Sequence, residues 1–315
     1  MNYTIGEYPT AVQVGDIDRD GILDVAVACE AGVLSILIGY GGGLFKHVVN
    51  YNSASSGLTF IIAADIDSDT DLDIVAASAA GSNIQIFYGN GNGTFQNAFI
   101  VYTIPQPSYI YNMISGYFNN DTLLDFAVVS SNTSNQSVAV FLGATGGNLT
   151  IPPVYYSTRP SVSSRSICAA DVDRDGHVDL VVANYDLNTL SIFKGDGRGV
   201  FQTTANTVTL GSAQGPNSIV TADFNGDNIP DLAVSFQTSQ SVMMLLGNGG
   251  GSFTSKSIVP TNAISSSSPR YLYAADLNHD GRPDITLGDF GANRVGIFLT
   301  QCLATTTSMT TGISY

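Results

Sequence analysis

An aspartate-rich loop recurs six times along this chain of 315 residues. The loops begin at residues 16, 65, 117, 171, 223 and 276, so that successive loops are separated by 49, 52, 54, 52 and 53 residues. A period of this size predicts a tandem array of one supersecondary unit, because a lone unit cannot bury both of its apolar faces. The regular period excludes two unrelated domains.

Each unit contains the same order of apolar segments. One run ends in the loop (ICAADVDRDGHVD), a second follows it (DLVVA), and a third comes after a short polar turn (LSIFKG). The first five units then add a glycine-rich turn and a fourth segment, as in GDGRGVFQTTANTV. This order predicts four antiparallel strands per unit. Radial packing of such sheets predicts an all-β fold, a β-propeller of six blades; a fragment of a seven-bladed parent would show the same pattern.

The two ends of the chain predict how the last blade is completed. The sixth repeat shows no fourth segment after Leu299, whereas residues 1 to 5 (MNYTI) precede the first repeat where a fourth strand would lie. Tyr3 corresponds in position to Tyr51 of the next connection. We therefore expect the N-terminal strand to close the propeller. The predicted repeat domain covers residues 1–302, and residues 303–315 read as a Thr/Ser-rich tail or linker.

The acidity of the chain is concentrated in the repeated loops. The formal net charge is −15, and 24 of the 26 carboxylates are Asp. General surface acidity would not produce such a bias against Glu. Twenty of the carboxylates occupy ligand positions in the six loops. The loops therefore require a short carboxylate side chain.

The loop pattern has the chemistry of a calcium site. Asp or Asn at positions 1, 3 and 5, with Asp at position 9, places several oxygen atoms around one point, and Ca²⁺ prefers six to eight such hard ligands. Glycine at position 6 permits the positive φ that curls the loop. Five loops carry the full set: Asp16, Asp18, Asp20, Asp24; Asp65, Asp67, Asp69, Asp73; Asp171, Asp173, Asp175, Asp179; Asp223, Asn225, Asp227, Asp231; and Asp276, Asn278, Asp280, Asp284.

The remaining loop is degenerate, and neither an EF-hand nor a metal-free hairpin explains the set of loops. Tyr117 stands at position 1 of the third loop, so we expect its remaining ligands Asn119, Asp121 and Asp125 to form a weak or empty site. An EF-hand would need Glu at position 12, whereas the six loops have Val, Ala or Leu there. Metal-free hairpins would leave clustered carboxylates unneutralised. We therefore predict about five structural Ca²⁺ sites.

The combined motif identifies a family resemblance. Units such as VTADFNGDNIPDLAVS, followed by LLGNGGGSF, resemble FG-GAP/VCBS repeats, the family that includes the propeller of integrin α subunits. The resemblance covers residues 1 to 300. It implies calcium held between the first and second strands of each blade. The degenerate third loop and the six visible repeats, rather than seven, are departures from the family pattern.

Catalytic motifs are lacking in the sequence. Two of the three histidines, His177 and His279, lie inside the Asp-rich loops, and GNGNG and GDGRG precede strands rather than helices, which excludes phosphate-binding loops. Outside the loops, the acids expected on the opposite face are Glu30, Asp186 and Asp289, which come from three different blades. We predict no catalytic residues and no organic cofactor; a polysaccharide-active enzyme is a weaker alternative.

Antiparallel order predicts where a ligand would bind. The loops between strands 1 and 2 share one side of a blade with the turns between strands 3 and 4, so the other connections lie on the opposite face. Polar and aromatic side chains there suit recognition of protein or sugar. The candidate contacts are Tyr109, Tyr156, Arg165, Tyr185, Arg270 and Asp289. Long loops are also often Tyr-rich without binding anything.

We therefore expect a non-catalytic, calcium-stabilised module for protein recognition or adhesion. A lectin with repeated pockets between blades is the alternative, although the connections differ widely from blade to blade. No apolar run is long enough to span a membrane, and nothing suggests nucleic acid as a partner. Six N-x-[ST] sequons fit an extracellular glycoprotein whose secretion signal lies outside this segment. We expect a monomeric domain of a larger chain.

Overall fold

A computed structural model describes residues 2–105, 108–132, 137–158, 163–260, 268–291, 293–303 and 306–312. The described residues contain β-strands and no helix. The strands form six four-stranded antiparallel sheets and one small hairpin. The protein is thus a six-bladed β-propeller, which confirms the fold class predicted from the repeats. The chain divides into two compact units, Met1–Tyr155 and Tyr156–Tyr315.

The first unit contains the first three blades in chain order. Blade 1 is formed by β1 (Pro9–Gly15), β2 (Asp24–Cys29), β3 (Val33–Gly41) and β4 (Leu44–Asn52). Blade 2 is formed by β5 (Leu58–Ala64), β6 (Asp73–Ser78), β7 (Asn83–Phe87) and β8 (Phe99–Thr103). Blade 3 is formed by β9 (Ser108–Gly116), β10 (Asp125–Asn132), β11 (Val138–Phe141) and β14 (Val154–Tyr156), the last of which ends at the boundary between the units. The small hairpin pairs β12 (Gly143–Ala144) with β13 (Asn148–Leu149).

The second unit contains the last three blades. Blade 4 is formed by β15 (Ser164–Ala170), β16 (Asp179–Asn184), β17 (Thr189–Phe193) and β18 (Asn206–Thr209). Blade 5 is formed by β19 (Pro216–Ala222), β20 (Asp231–Phe236), β21 (Ser241–Gly247) and β22 (Phe253–Pro260). Blade 6 is formed by β23 (Pro269–Ala275), β24 (Asp284–Asp289), β25 (Arg294–Leu303) and β26 (Thr306–Gly312). The prediction of one repeat domain over residues 1–302 stays a prediction.

The second strands of the blades are deeply buried. Every residue of β6, β16 and β20 is buried, because these strands pack against apolar side chains on both faces. The apolar clusters accordingly join neighbouring blades within a unit. One cluster packs Val75 and Ile86 of blade 2 with Phe126 and Phe141 of blade 3. The medium-sized and small residues that alternate in these strands suit packing between sheets.

A β-bulge interrupts the first strand of every blade at the same place. In blade 4, Ser164 pairs with Asn184 and Ser166 pairs with Ala183, which leaves Arg165 as the extra residue. A bulge turns a side chain out of the regular alternation of the strand. The bulged residues of the six blades are Thr10, Thr59, Tyr111, Arg165, Asn217 and Arg270.

A tyrosine and a phenylalanine form a recurring contact within the units. The hydroxyl of Tyr51 accepts a hydrogen bond from the backbone N–H of Phe95, and the two rings lie edge to face at 5.6 Å. Tyr3 makes the same contact with Phe45, at 5.3 Å between ring centroids. Each phenylalanine follows a glycine-rich turn, so the contact fixes that turn to the segment that precedes the blade.

Tyr156 forms the same contact and is therefore a structural residue. It was expected on the ligand face, but its side chain is only 4% exposed. Its hydroxyl accepts the backbone N–H of Phe201 at 3.0 Å, and its ring packs on Phe193 and Phe201. The expectation was wrong because a tyrosine in a connection looks equally like a surface contact until its burial is known.

The predicted closure of the last blade was also wrong. The fourth strand of blade 6 is β26 (Thr306–Gly312), which pairs with β25 and lies inside the segment expected to be a tail. Threonine-rich sequence has high β-propensity, and an edge strand tolerates polar residues. Residues 2–8 form no strand; Gly6 donates its N–H to Ser35 Oγ at 3.0 Å, so this segment packs against blade 1.

Substitution of Tyr156 by Phe tests its structural role. The change removes a hydrogen bond inside the second unit, so we expect the free energy of unfolding to fall by about 1 kcal/mol. Urea denaturation measures it. Tyr40 is 48% exposed, and the matched Tyr40→Phe change should stay within about 0.5 kcal/mol of the wild type. An equally stable Tyr156→Phe protein would contradict the assignment.

Candidate functional site

Each Asp-rich loop joins the first and second strands of its blade and depends on one buried aspartate. At position 9, Asp73 accepts the backbone N–H of Ile66 through Oδ2, at 2.9 Å, and that of Gly89 through Oδ1, at 2.7 Å. One carboxylate thereby ties the start of the loop to the end of the third strand. The same two bonds recur in all six blades, with the aspartates Asp24, Asp73, Asp125, Asp179, Asp231 and Asp284.

The approach of the third strand explains the glycine that ends it in the first five repeats. A Cβ atom at Gly195 would lie 2.2 Å from the carbonyl oxygen of Val178, which is far inside van der Waals contact. Gly39, Gly89, Gly143 and Gly247 are equally close to the corresponding carbonyl of their own blade. In these five repeats glycine lets the backbone N–H approach the position-9 carboxylate without a Cβ clash. In the sixth repeat Thr300 donates the equivalent N–H to Asp284 at 2.8 Å, and its hydroxyl donates to the corresponding carbonyl, that of Pro283.

The position-1 carboxylate closes the loop in five of the six repeats. Asp171 accepts the N–H of Gly176, at position 6, through Oδ2 at 3.0 Å. The equivalent bond forms from Asp16, Asp65, Asp223 and Asp276. Tyr117 has no carboxylate for this bond and is 53% exposed. The third loop therefore lacks both the closing bond and the first candidate ligand.

The curl of the loops needs two residues with positive φ rather than one. Position 6 has positive φ in five loops, including Gly21 at 82° and Gly176 at 88°. Position 4 also has positive φ in all six, where the residues are Arg19, Ser68, Asn120, Arg174, Gly226 and His279. Sequence reasoning missed this second position because residues other than glycine fill it in five of the six loops. Thr70 at position 6 has φ of 76°, a strained value for a β-branched residue.

Three loops gather carboxylate oxygens closely enough to hold a metal ion. In each, ligand atoms of positions 1, 3 and 9 lie within 4.8 Å of one another, in the sets Asp16, Asp18, Asp24; Asp65, Asp67, Asp73; and Asp171, Asp173, Asp179. Oδ1 of Asp16 is buried and has no hydrogen-bond partner among the described residues, as expected of an atom that faces a cation. Hard carboxylate oxygens in this arrangement fit Ca²⁺.

Position 5 lies outside these three clusters. Its carboxylate accepts the N–H of position 7, as Asp175 does from His177 at 2.9 Å. The fifth and sixth loops keep the same internal bonds but have an asparagine at position 3, Asn225 and Asn278. Metal binding by position 5 and by these two loops stays a prediction. In the third loop, Asn119 donates to Asp121 at 2.7 Å, the same bond that Asn225 and Asn278 make to Asp227 and Asp280.

The electrostatics of the loops favour a bound cation. Burial raises the pKa of Asp73, Asp179 and Asp231 to about 6, because each carboxylate loses hydration and faces other carboxylates of its loop. Lysines already approach two loops. Lys194 Nζ lies 2.5 Å from Asp173 Oδ2, and Lys46 Nζ lies 3.3 Å from Asp20 Oδ2. The loops therefore attract positive charge from their own chain.

Glycine-rich turns pack directly on the loops of the preceding blade within each unit. A Cβ atom at Gly147 would lie 2.8 Å from Cβ of Asp67, and one at Gly93 would lie 3.3 Å from Cβ of Asp18. In the second unit, Gly251 donates its N–H to the carbonyl of Val172 at 3.1 Å. The candidate metal loops and the turns between strands 3 and 4 thus share one side, as the antiparallel order predicts.

The opposite side of the second unit presents a repeated pair of side chains. In each of its three blades the bulged residue is followed, 20 positions later, by the first residue after the second strand. The guanidinium of Arg165 stacks on the ring of Tyr185 at 4.0 Å, and that of Arg270 stacks on Phe290 at 4.2 Å. The intervening pair is Asn217 and Gln237, and both side chains contact Arg165 Nη1, at 3.3 and 3.4 Å.

The six predicted ligand contacts differ in burial and in the unit to which they belong. Arg165, Tyr185 and Arg270 come together on this side of the second unit, as described above. Tyr109 belongs to the first unit, is 43% exposed and packs on Tyr111 at 4.9 Å. Asp289 was expected to contact a ligand, but it is 2% exposed and pairs with Arg294 at 3.3 Å. The expectation for Asp289 was wrong because a neighbouring arginine buries and neutralises the carboxylate.

Sequence reasoning missed three members of the repeated pairs, namely Asn217, Gln237 and Phe290. None belongs to a recognised motif, and amides and lone aromatics are common in turns. The constant spacing of 20 residues between the bulged residue and the turn residue was the available signal. It becomes visible only after the bulge has been located in one blade.

The family of the chain follows from its repeats. The model of the FG-GAP-like repeat matches residues 16–76, 65–128, 117–182, 171–234 and 233–287. These matches cover all six Asp-rich loops and most of the strands that flank them. The chain therefore belongs to the FG-GAP-like repeat family.

Solved propellers of several functions share the fold. A lectin of Agrocybe aegerita, described as recognising non-reducing terminal N-acetylglucosamine, has a TM-score of 0.67 at 15% identity over 96% of this chain and 80% of that chain. BBS1N, crystallised in complex with ARL6DN, has a TM-score of 0.63 at 13% identity over 94% of this chain and 80% of that chain. Virginiamycin B lyase of Staphylococcus aureus has a TM-score of 0.63 at 14% identity over 96% of this chain and 84% of that chain. At these identities the likeness shows the fold alone.

No curated protein matches the chain by sequence. Among the described residues, no helix is long and apolar enough to cross a membrane.

Replacement of Thr70 by Gly tests the strain in the second loop. Glycine adopts positive φ without a Cβ clash, so we expect the free energy of unfolding to rise by about 1 kcal/mol in metal-free buffer. The reciprocal change Gly176→Thr in the fourth loop should lower it by about the same amount. Urea denaturation in EDTA measures both changes. Changes of the same sign in the two variants would refute the strain argument.

Proposed function

We propose that this chain is a non-catalytic, calcium-stabilised extracellular binding module that recognises a protein partner. The observation that carries the proposal is the repeated pairing of bulged and turn residues on the side away from the Asp-rich loops. There, Arg165 on Tyr185 and Arg270 on Phe290 combine cationic, aromatic and amide groups on one surface. Arginine and aromatic residues are enriched at protein interfaces. Adhesion is one form that such recognition takes.

Calcium is proposed as the structural ion of five loops. The three carboxylate clusters, the buried Oδ1 of Asp16 and the raised aspartate pKa values support this part of the proposal. The ion would neutralise the loop that joins two strands and on which the next glycine-rich turn packs. It would thus stabilise each blade and its contact with the following blade, on the side away from the partner.

Support for a non-catalytic role comes from the carboxylates outside the ligand positions. Asp71 pairs with Arg19 at 2.6 Å, and Asp289 pairs with Arg294. Asp186 accepts the backbone N–H of Ser163 at 2.8 Å. These acids already take part in structural contacts, whereas acid–base catalysis by paired carboxylates needs two that face one substrate.

Localisation outside the cell is proposed from the sequons and the calcium loops.

Calcium titration tests the structural ions. Saturating Ca²⁺, at 100 times the dissociation constant, should add about 2.7 kcal/mol of stability per site and raise the melting temperature relative to EDTA. Asp171→Asn removes a position-1 carboxylate and should reduce the number of bound ions by one in calorimetry. The matched Asp121→Asn change in the degenerate third loop should leave that number unchanged. An identical melting temperature in Ca²⁺ and EDTA would refute the proposal.

A second candidate function rests on a groove in the second unit. The groove, about 370 Å³ in volume, lies between β18 of blade 4 and the glycine-rich turn of blade 5. Its lining includes Asn206, Thr207, Thr209, Ser252 and Phe253. Hydroxyls, an amide and an aromatic ring suit a neutral sugar. The propeller lectin from Agrocybe aegerita, which recognises terminal N-acetylglucosamine, makes this candidate worth testing.

Parallel arrays separate the two candidate functions. Secreted-protein and glycan arrays are probed with the wild-type protein, Arg270→Gln and Asn206→Ala, all in Ca²⁺. We expect hits among proteins, lost with Arg270→Gln and kept with Asn206→Ala. Glycan hits that vanish only with Asn206→Ala would establish the groove instead. Hits that neither variant affects would contradict both assignments.

A further inference from the structure

We propose that the surface formed by Arg165, Asn217 and Arg270 with Tyr185, Gln237 and Phe290, here called the arginine row, binds a short acidic polypeptide segment. This inference rests on the proposed function and names the chemistry of its partner. The row occupies three consecutive blades of the second unit, at one structurally equivalent position in each. It therefore offers two guanidinium groups on either side of two amides.

The row is held together by contacts between its members. Asn217 accepts from Arg165 Nη1 through Oδ1, and its Nδ2 donates to the carbonyl of Arg270 at 2.9 Å. Gln237 accepts from Arg165 through Oε1, and its Nε2 donates to Ser268 Oγ at 3.2 Å. The amides thus connect the two arginine pairs across blades 4, 5 and 6. Because the side chains are positioned in advance, a ligand would order fewer rotamers on binding.

Carboxylate is the chemistry that the two arginines fit. An aromatic face under a guanidinium holds its plane, and a planar guanidinium receives a carboxylate with two parallel hydrogen bonds. None of the ion pairs within the described residues involves Arg270, and its side chain is exposed. Arg294, by contrast, already pairs with Asp289 in the same blade. The row therefore presents Arg270 without a carboxylate partner from the described chain.

The corresponding positions of the first unit lack this character. The bulged residues there are Thr10, Thr59 and Tyr111. The two threonine hydroxyls donate to backbone carbonyls; that of Thr10, for example, donates to Leu58 at 2.7 Å. The same backbone device therefore carries two threonines and a tyrosine in one unit, and two arginines and an asparagine in the other. The fold by itself does not require cations at the bulge.

The charge of the whole chain favours a short acidic segment over a long polyanion. Only 11 Lys and Arg residues accompany 26 acids, so the row is a local positive surface on an acidic protein. Charges beyond about 8 Å are screened at physiological ionic strength, so a short segment feels the row alone. The row contains two arginines, so a long polyanion would gain no further guanidinium contact from it. An extended peptide also presents alternate side chains on one side, which suits two separated arginines with amides between them.

Fluorescence anisotropy with a defined probe tests the proposal. The probe is a labelled decapeptide with Asp at alternate positions, and its matched control has Asn at those positions; free Ca²⁺ is held constant. We expect the Asp peptide to bind, and binding to weaken about tenfold for each of Arg165→Gln and Arg270→Gln, since each loses a charge-assisted pair. The Asn peptide should not bind measurably. Raising the salt concentration should weaken binding of the Asp peptide.

A matched arginine variant and a second anion serve as controls. Arg198→Gln removes the same charge from the exposed glycine-rich turn of blade 4 and should bind as the wild type does; circular dichroism and melting temperature confirm that each variant folds. Equal loss in Arg198→Gln, or no loss in the row variants, would overturn the proposal. So would tighter binding of labelled polysialic acid than of the peptide. Protein-array hits that require the row but carry no acidic segment would overturn this inference alone and leave the binding-module proposal standing.

Discussion

A buried aspartate with two backbone hydrogen bonds is the interaction on which each blade depends. Asp73 and its five equivalents accept one N–H from the Asp-rich loop and one from the third strand. A carboxylate buried in this way is costly unless its oxygens are satisfied, so the chain must bring both N–H groups to it. That demand sets the curl of the loop and the close approach of the third strand.

Contacts between neighbouring blades also form on the side of each unit that carries the Asp-rich loops. The glycine-rich turns pack on the preceding Asp-rich loops, as Gly147 does on Asp67, and tyrosine–phenylalanine contacts fix the turns of blades 1, 2 and 4. A loop whose clustered carboxylates repel one another would disturb both its own blade and the next. The candidate cation sites of the loops and the cohesion between blades are therefore parts of one arrangement.

The repeat made much of the fold predictable, and its failures have physical causes. The blade count, the strand order and the loop positions follow from a pattern that recurs six times. The last strand was misassigned because β26 belongs to an incomplete repeat, where threonine-rich sequence fits a linker and an edge strand equally well. Tyr156 and Asp289 were assigned to the ligand face because residue type in a connection does not reveal burial.

The sequence by itself determined the repeated blade and the candidate oxygen ligands of its loops, since both are local patterns within about 52 residues. Only the tertiary structure decided which side chains meet across blades. Arg165 lies 52 residues from Asn217 and 72 from Gln237, yet their side chains are in contact. A β-bulge turns Arg165 out of its strand, and packing of neighbouring blades brings its partners to it. Such contacts arise between repeats, and no pattern within one repeat encodes them.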